Sequence, residues 1–321
     1  MSLLSSLLVP SPADAVIEIG PEAVSAATFT PRGKEALVQG CVVEPLPPGA
    51  VSATLMTPNI IDRPAVVGRL RAALGRLTSK PRRVALLLPD PAARVSLVRF
   101  DRLPGRAEDL DQLVRWQVKK AAPFPIDDTL LSYVPSASTP DGGHEFLVVA
   151  ARRDVVRGYE AICEELDMHA GLVDLTTFGL VNACLAVAGS RTTDWLLVHV
   201  RPAYTSVAIV RSGSVIFFRN LAGEDAGALV DVVHQTTMYY QDRLAGNGFS
   251  QVLLTGVGGP AGTLDDVRHN LETRLGVNVH RVDPARVVAF ADRIGATPEL
   301  LAWLAPLAGT WLRMRAEVVA A

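Results

Sequence analysis

AVIEIGPEAVSAATFTPRGKEALVQGCVV (residues 15–43) and LLVHVRPAYTSVAIVRSGSVIFFR (residues 196–219) are two distant stretches with one pattern. In the first, residues 15–19 read as a strand, Gly20-Pro21-Glu22 as a turn and residues 24–29 as a second strand. Pro31-Arg32-Gly33 then turns the chain into a third strand at residues 37–43. In the second, residues 196–200, 205–210 and 215–219 read as strands, separated by Arg201-Pro202-Ala203 and by the hairpin signal Ser212-Gly213. Two three-strand meanders, each followed by helical sequence, predict a duplicated α/β lobe with a cleft between the copies. The echo is one of pattern and not of identity.

Between the meanders lies a segment of different character. Residues 84–88 and 95–100 are strand-like, and Leu110, Leu113, Val114, Val118 and Ala121 trace one face of a helix that Pro123 ends. Asp109 and Asp111 near the start of that helix, with Lys119 and Lys120 in its last turn, complement the helix dipole, a structural role. Strands at residues 130–134 and 146–150 complete a small βαββ unit at about 84–152. A strongly amphipathic helix follows, with Val155, Tyr159, Ile162, Cys163 and Leu166 on its apolar stripe. Further on, helices are expected at residues 229–244 and 264–275, strands at 252–255 and 277–282, and a closing helical region at 300–319 interrupted near Pro306. The division expected is a flexible leader at 1–12, a first lobe at 13–190 containing the inserted unit, and a second lobe at 191–321.

The 321 residues are 49% hydrophobic, enough for two packed lobes. Lys plus Arg number 31 against 33 for Asp plus Glu, so no long-range field marks a nucleic-acid binder. Three widely spaced cysteines, Cys41, Cys163 and Cys184, argue for a reducing compartment and against a disulfide scaffold or a cysteine zinc site. The opening MSLLSSLLV has two readings, a frayed terminus or a helix that touches a membrane. No later apolar stretch is long enough to span a bilayer.

Three stretches, taken in order, carry a family likeness. The first is Asp111-Gln112-Leu113-Val114-Arg115-Trp116-Gln117 running to Ala122-Pro123-Phe124-Pro125-Ile126. The second is Val148-Val149-Ala150-Ala151-Arg152, then Tyr159, Gly171-Leu172-Val173-Asp174-Leu175 and Phe178. The third joins Phe217-Phe218-Arg219, Leu254-Thr255-Gly256-Val257-Gly258-Gly259, Val282-Asp283-Pro284 and Pro306-Leu307-Ala308-Gly309. Together they resemble the PilM family of type IV pilus assembly proteins, related to FtsA and to the cytoplasmic domain of GspL. The resemblance implies an α/β, two-lobed actin-like ATPase fold with duplicated ribonuclease H-like lobes. It also implies a cytoplasmic protein, peripheral to the inner membrane, that grips the cytoplasmic tail of a PilN-type membrane protein. Self-association is a further expectation. GspL-type proteins fuse a similar domain to a membrane helix; none follows here, which favours the separate, PilM-like arrangement.

The same resemblance implies ATP or ADP with Mg as cofactor, cradled by one glycine turn per lobe. The residues carried over are Glu18, Gly20, Thr205, Gly256, Gly258 and Gly259. The first turn, Glu18-Ile19-Gly20-Pro21-Glu22, departs from the family's Asp-Ile-Gly: Pro21 lacks an N–H and Glu22 brings negative charge towards the phosphates. The second, His199-Val200-Arg201-Pro202-Ala203, has lost both the acid and the glycine. Arg201 reads either as a phosphate contact or as a surface arginine before a turn proline. His199 reads as a core or cleft residue and not as a metal ligand. The 256–259 glycine cluster reads either as a nucleotide contact or as a turn that needs positive φ. No catalytic and no metal residue is singled out, and hydrolysis is not expected.

These residues leave three functions open. The first is an assembly platform whose βαββ unit and adjoining lobe hold an extended peptide, with Trp116, Phe124 and Pro125 either lining the groove or packed beneath it. The second is a nucleotide-binding switch or weak ATPase of the same machinery. The third, a sugar-kinase-like enzyme, lacks an identifiable catalytic acid.

Overall fold

The computed structural model describes residues 13–33, 35–120, 123–136, 142–188, 193–223, 226–258, 262–291 and 294–320. The expected leader at 1–12, Ala121 and Gly259 lie outside the described residues.

The chain opens with β1 (Ala15–Ile19), β2 (Ala23–Arg32), β3 (Glu35–Pro45), α1 (Arg63–Gly75) and β4 (Arg83–Leu88). An inserted unit follows: β5 (Ala93–Phe100), α2 (Ala107–Lys119), β6 (Thr129–Pro135) and β7 (His144–Arg152). The first lobe resumes with α3 (Arg153–Glu164), β8 (His169–Leu175) and α4 (Thr176–Ala188). The second lobe holds β9 (Trp195–Val200), β10 (Tyr204–Arg211), β11 (Ser214–Ala222), α5 (Ala226–Arg243), β12 (Gln251–Gly256), α6 (Leu264–Leu275) and β13 (Val279–Arg281), and the chain closes with β14 (Val288–Phe290) and α7 (Pro298–Ala320).

The two central sheets repeat one topology. The first runs β14-β3-β2-β1-β4-β8 and the second β11-β10-β9-β12-β13. In each, the first three strands form an antiparallel meander and two further strands add in parallel beside the first. The duplication read from the two meanders is therefore a repeat of the whole five-strand order. That repeat, with a βαββ unit inserted into the first copy, is the actin-like ATPase fold built from two ribonuclease H-like lobes.

Side-chain alternation explains why both faces of each sheet are covered. Ala15, Ile17 and Ile19 of β1 enter one core and Val16 enters another on the opposite face. On β9, Leu196, Val198 and Val200 pack into the second lobe's own core, whereas Trp195 and Leu197 join the core that contains Ile17. One continuous apolar cluster thus ties the lobes together.

Three sequence expectations need correction. The inserted unit begins at 93 and not 84, because β4 is a central strand of the first lobe, hydrogen-bonded between β1 and β8. Residues assigned to the second lobe return to the first: β14 pairs with β3, and α7 packs against α4 and over β1 to β3. Finally, α7 runs unbroken through Pro306. A proline inside a helix costs about 3 kcal/mol, but here Leu304, Ala305, Leu307, Ala308 and Trp311 are buried. The backbones of α4 and α7 also touch: a Cβ on Gly309 would stand 2.0 Å from the Gly179 carbonyl, and one on Gly179 2.5 Å from that of Pro306. Packing overrides the local signal. Among the described residues no helix is long and apolar enough to cross a membrane.

Candidate functional site

The β1–β2 and β9–β10 turns are structural copies at the seam between the lobes. In the first, the Gly20 N–H donates to the Ala23 carbonyl at 3.0 Å; in the second, the Arg201 N–H donates to the Tyr204 carbonyl at 2.8 Å. Strand register extends the equivalence, since Glu18 pairs with Ser25 and His199 with Ser206. Arg201 thus stands where the first lobe has Gly20, and His199 where it has Glu18. Each turn uses an amide that could face a phosphate to close its own hairpin.

The side chains at these positions meet across the seam. Arg201 Nη2 donates to Glu18 Oε1 at 2.6 Å, with both residues essentially inaccessible to solvent at 2% and 1% exposure. Ser25 and Thr176 hydroxyls also donate to the Glu18 carboxylate. The Arg201 guanidinium lies 3.9 Å from the ring centre of Trp303 on α7, and its Nη1 has no hydrogen-bond acceptor among the described residues. Two of the alternatives left open by the sequence are thereby settled in part: Arg201 is buried and not a surface arginine, and His199 is a buried cleft residue.

A second chain of bonds runs alongside. Arg201 Nε donates to His199 Nε2 at 3.1 Å, and His199 Nδ1 lies 2.9 Å from the Thr177 hydroxyl. Because Nε2 accepts, Nδ1 carries the proton, and burial holds the imidazole below its ordinary pKa. The Thr177 hydroxyl donates to Asp90, which also accepts from the Thr177 N–H at 3.0 Å and from Ser206 Oγ. Asn220 Nδ2 donates to Ser206 at 2.9 Å. At the rim, Glu22 Oε1 accepts from the Ala203 N–H at 3.2 Å, so a carboxylate of the first turn sits on a backbone amide of the second. Four polar contacts, Glu18–Arg201, Glu22–Ala203, Thr177–His199 and Asp90–Ser206, therefore join one lobe to the other.

Thr205 is buried on β10 opposite Val200, beside this network. Gly256 ends β12 with φ +128, and a Cβ there would lie 1.8 Å from the Val200 carbonyl, so the meeting of β12 with β9 demands a glycine. Gly258 has φ +79, with a Cβ position 2.8 Å from the Gly262 carbonyl across the turn. Both glycines thus have a backbone reason of their own.

The three residues expected beside a peptide groove, Trp116, Phe124 and Pro125, are dispersed. Phe124 is buried in the core of the inserted unit. Trp116 is 56% exposed on α2, with Lys120 Nζ 3.2 Å from its ring centre, and Pro125 is exposed nearby. What the sequence missed is a groove of about 540 Å³ on the other side of Thr129. One wall is β6, whose residues from Thr129 to Ser136 line it consecutively. Strand β6 pairs only with β7 among the described residues, and consecutive lining is what a strand edge gives. Phe178, Val181 and Leu185 of α4 form the floor, and Gly213, Ser214 and Val215 at the β10–β11 hairpin form the far wall. The Ser212 and Gly213 φ values of 50 and 83 suit the two-residue hairpin turn that the sequence signals. Arg115, Arg153 and an Arg313–Asp174 pair at 3.1 Å supply charge at the edges, and burial pushes the Asp174 carboxyl up to about 6.

A solved structure described as the PilM-PilN type IV pilus biogenesis complex is similar at a TM-score of 0.78 and 18% identity, covering 97% of this chain and 99% of that one. A protein of Bacteroides thetaiotaomicron with an actin-like ATPase fold and unknown function gives 0.49 at 8% identity, over 87% and 94% of the two chains. The cytoplasmic domain of EpsL, from the type II secretion system of Vibrio cholerae, gives 0.46 at 10% identity, over 81% and 93%. No curated protein matches the sequence. The sequence profile of the family described as type IV pilus assembly protein PilM matches residues 16–226, more than half of the chain. With the matched segment reaching from β1 through the inserted unit into the second lobe, the chain belongs to the PilM family of type IV pilus assembly proteins.

Proposed function

We propose that this protein is an assembly platform at the cytoplasmic face of an inner-membrane pilus complex, holding the cytoplasmic tail of a PilN-type membrane protein. The observation that carries the reading is the groove beside β6. An edge of β6 left unpaired among the described residues offers backbone donors and acceptors to an extended segment, and the apolar floor of Phe178, Val181 and Leu185 offers pockets for alternate side chains. Val134, 47% exposed on β6, is an apolar side chain left for such a partner to cover.

Nucleotide fits the seam poorly. Phosphate would meet the Glu18 and Glu22 carboxylates, and the Arg201 cation that could offset them is already paired with Glu18. We therefore read the site as degenerate and the protein as a platform without ATP hydrolysis.

Calorimetry with synthetic tails of PilN-type proteins tests the platform. Micromolar binding, weakened at least tenfold by Val134→Asp on the exposed edge strand and by Leu185→Arg on the floor, is expected. A full panel of such tails giving no heat would overturn it. In the same instrument ATP with magnesium is expected to give no micromolar binding; a saturable signal would restore the switch reading.

A further inference from the structure

The network at the seam and the groove are parts of one mechanical unit. We infer that the four polar contacts at the seam form a permanent latch in place of a bound nucleotide, and that this latch positions the two walls of the peptide groove. The inference rests on the platform reading given above. Helix α4 begins in the latch: Thr176 donates to Glu18, and Thr177 joins Asp90 to His199. The same helix then supplies Phe178, Val181 and Leu185 to the groove floor, within about 15 Å at 1.5 Å per residue. Strand β10 likewise starts at the latch, with Tyr204 and Ser206, and ends at the hairpin that forms the far wall. At about 3.3 Å per residue it is a lever of roughly 25 Å.

The groove itself is built from both lobes. Its near wall, β6, belongs to the unit inserted in the first lobe, and its far wall to the second. One bond crosses it directly, from Ser136 Oγ to the Val215 carbonyl at 2.8 Å. A lobe rotation of about 10° about the latch would displace the hairpin by roughly 4 Å over that lever, enough to part an added strand from one wall. The protein's own side chains, bridging the seam, hold the two lobes in this arrangement. Glu18, Arg201, Asp90 and Ser206 are on this account positioning residues of the groove, though none touches the peptide.

Two readouts on the full-length chain test the proposal. The first is tail-peptide affinity. The second is the distance between spin labels at Ile61→Cys in the first lobe and Val277→Cys in the second, both exposed, in a Cys41→Ser background. Arg201→Met is expected to weaken the peptide at least tenfold and to broaden and lengthen the label distance. Arg201→Lys, which keeps the cation, is expected to stay within threefold. Where Arg201→Met does not fold, Ser206→Ala, which removes one contact of the four, is expected to move both readouts in the same direction. Folded latch variants that bind peptide like the wild type and keep its label distance would overturn the latch. Should the wild type bind no tail, the platform reading falls, and the latch then stands or falls on the label distance alone.

Discussion

Replacing Arg201 with methionine keeps most of the side-chain volume and removes the charge. The magnitude follows from burial. Glu18 and Arg201 are 1% and 2% exposed and meet at 2.6 Å, so Arg201→Met leaves a carboxylate in the interior with only the Ser25 and Thr176 hydroxyls. Removing one partner of a buried pair costs about 3–5 kcal/mol, most of it the desolvation of the group left behind. Urea denaturation should show the midpoint falling by that amount divided by an unchanged m. In a double-mutant cycle with Glu18→Gln, the coupling energy should reach about 1.5–3 kcal/mol, since the second change removes the stranded charge. Arg63–Glu165 is the internal control: the pair is of the same kind, at 2.9 Å against 2.6 Å, but about half exposed on both sides, and Arg63→Met should cost less than about 1 kcal/mol. If Arg201→Met also costs less than about 1 kcal/mol, or couples to Glu18→Gln no more than the noise, the ion pair is not the buried structural element described here.

The remaining predictions concern the same seam and the packing around it. His199 should keep a neutral imidazole NMR signature, with the proton on Nδ1, below pH 6.5, because burial lowers its pKa and protonation would set Nε2–H against the Arg201 Nε–H. The unfolded chain takes up that proton near pH 6.5 while the folded one does not, so this group's contribution is fully present above about pH 6.5 and is lost as pH falls through the folded value. A two-dimensional 15N spectrum and pH-dependent urea midpoints, compared with His199→Gln, check both statements. Gly256→Ala should destabilise by about 3 kcal/mol or more, since the new methyl would stand 1.8 Å from the Val200 carbonyl at a φ of +128; a thermal shift within 1 °C of wild type would contradict this. Gly309→Ala should cost about 2–4 kcal/mol by prising α7 from α4, and wild-type urea stability in that variant would refute the close helix crossing.

The sequence made the lobes legible because each meander combines short apolar strands with turn residues that act locally. Gly20-Pro21 and Ser212-Gly213 state their conformations within a few residues, and the duplicated order follows; the expected turn at Pro31-Arg32-Gly33 needs correction, because Pro31 and Arg32 extend β2 in register with Ala36 and Glu35 and only Gly33, with φ +59, leaves the strand. The seam was legible only in part. The substitutions in the two turns were visible, but Arg201 and Glu18 are 183 residues apart, and nothing near Arg201 announces a buried carboxylate or the Trp303 ring beneath it. Pro306 misled for a related reason: helix propensity is local, while the contact of Gly309 with Gly179 is not. The lining of the groove beside β6 is not legible in the sequence, because Trp116 and Phe124 attract notice as aromatics, whereas an edge of β6 left unpaired among the described residues is a property of topology.

Hydrogen exchange across β6, with and without a PilN-type tail peptide, reads out whether the tail is held as an added strand. An added strand should slow exchange of alternate amides in residues 129–136 and of the hairpin at 213–215, with α2 around Trp116 unchanged. Tail binding that leaves β6 exchanging at its free rate, or that protects the α2 surface instead, would contradict the account.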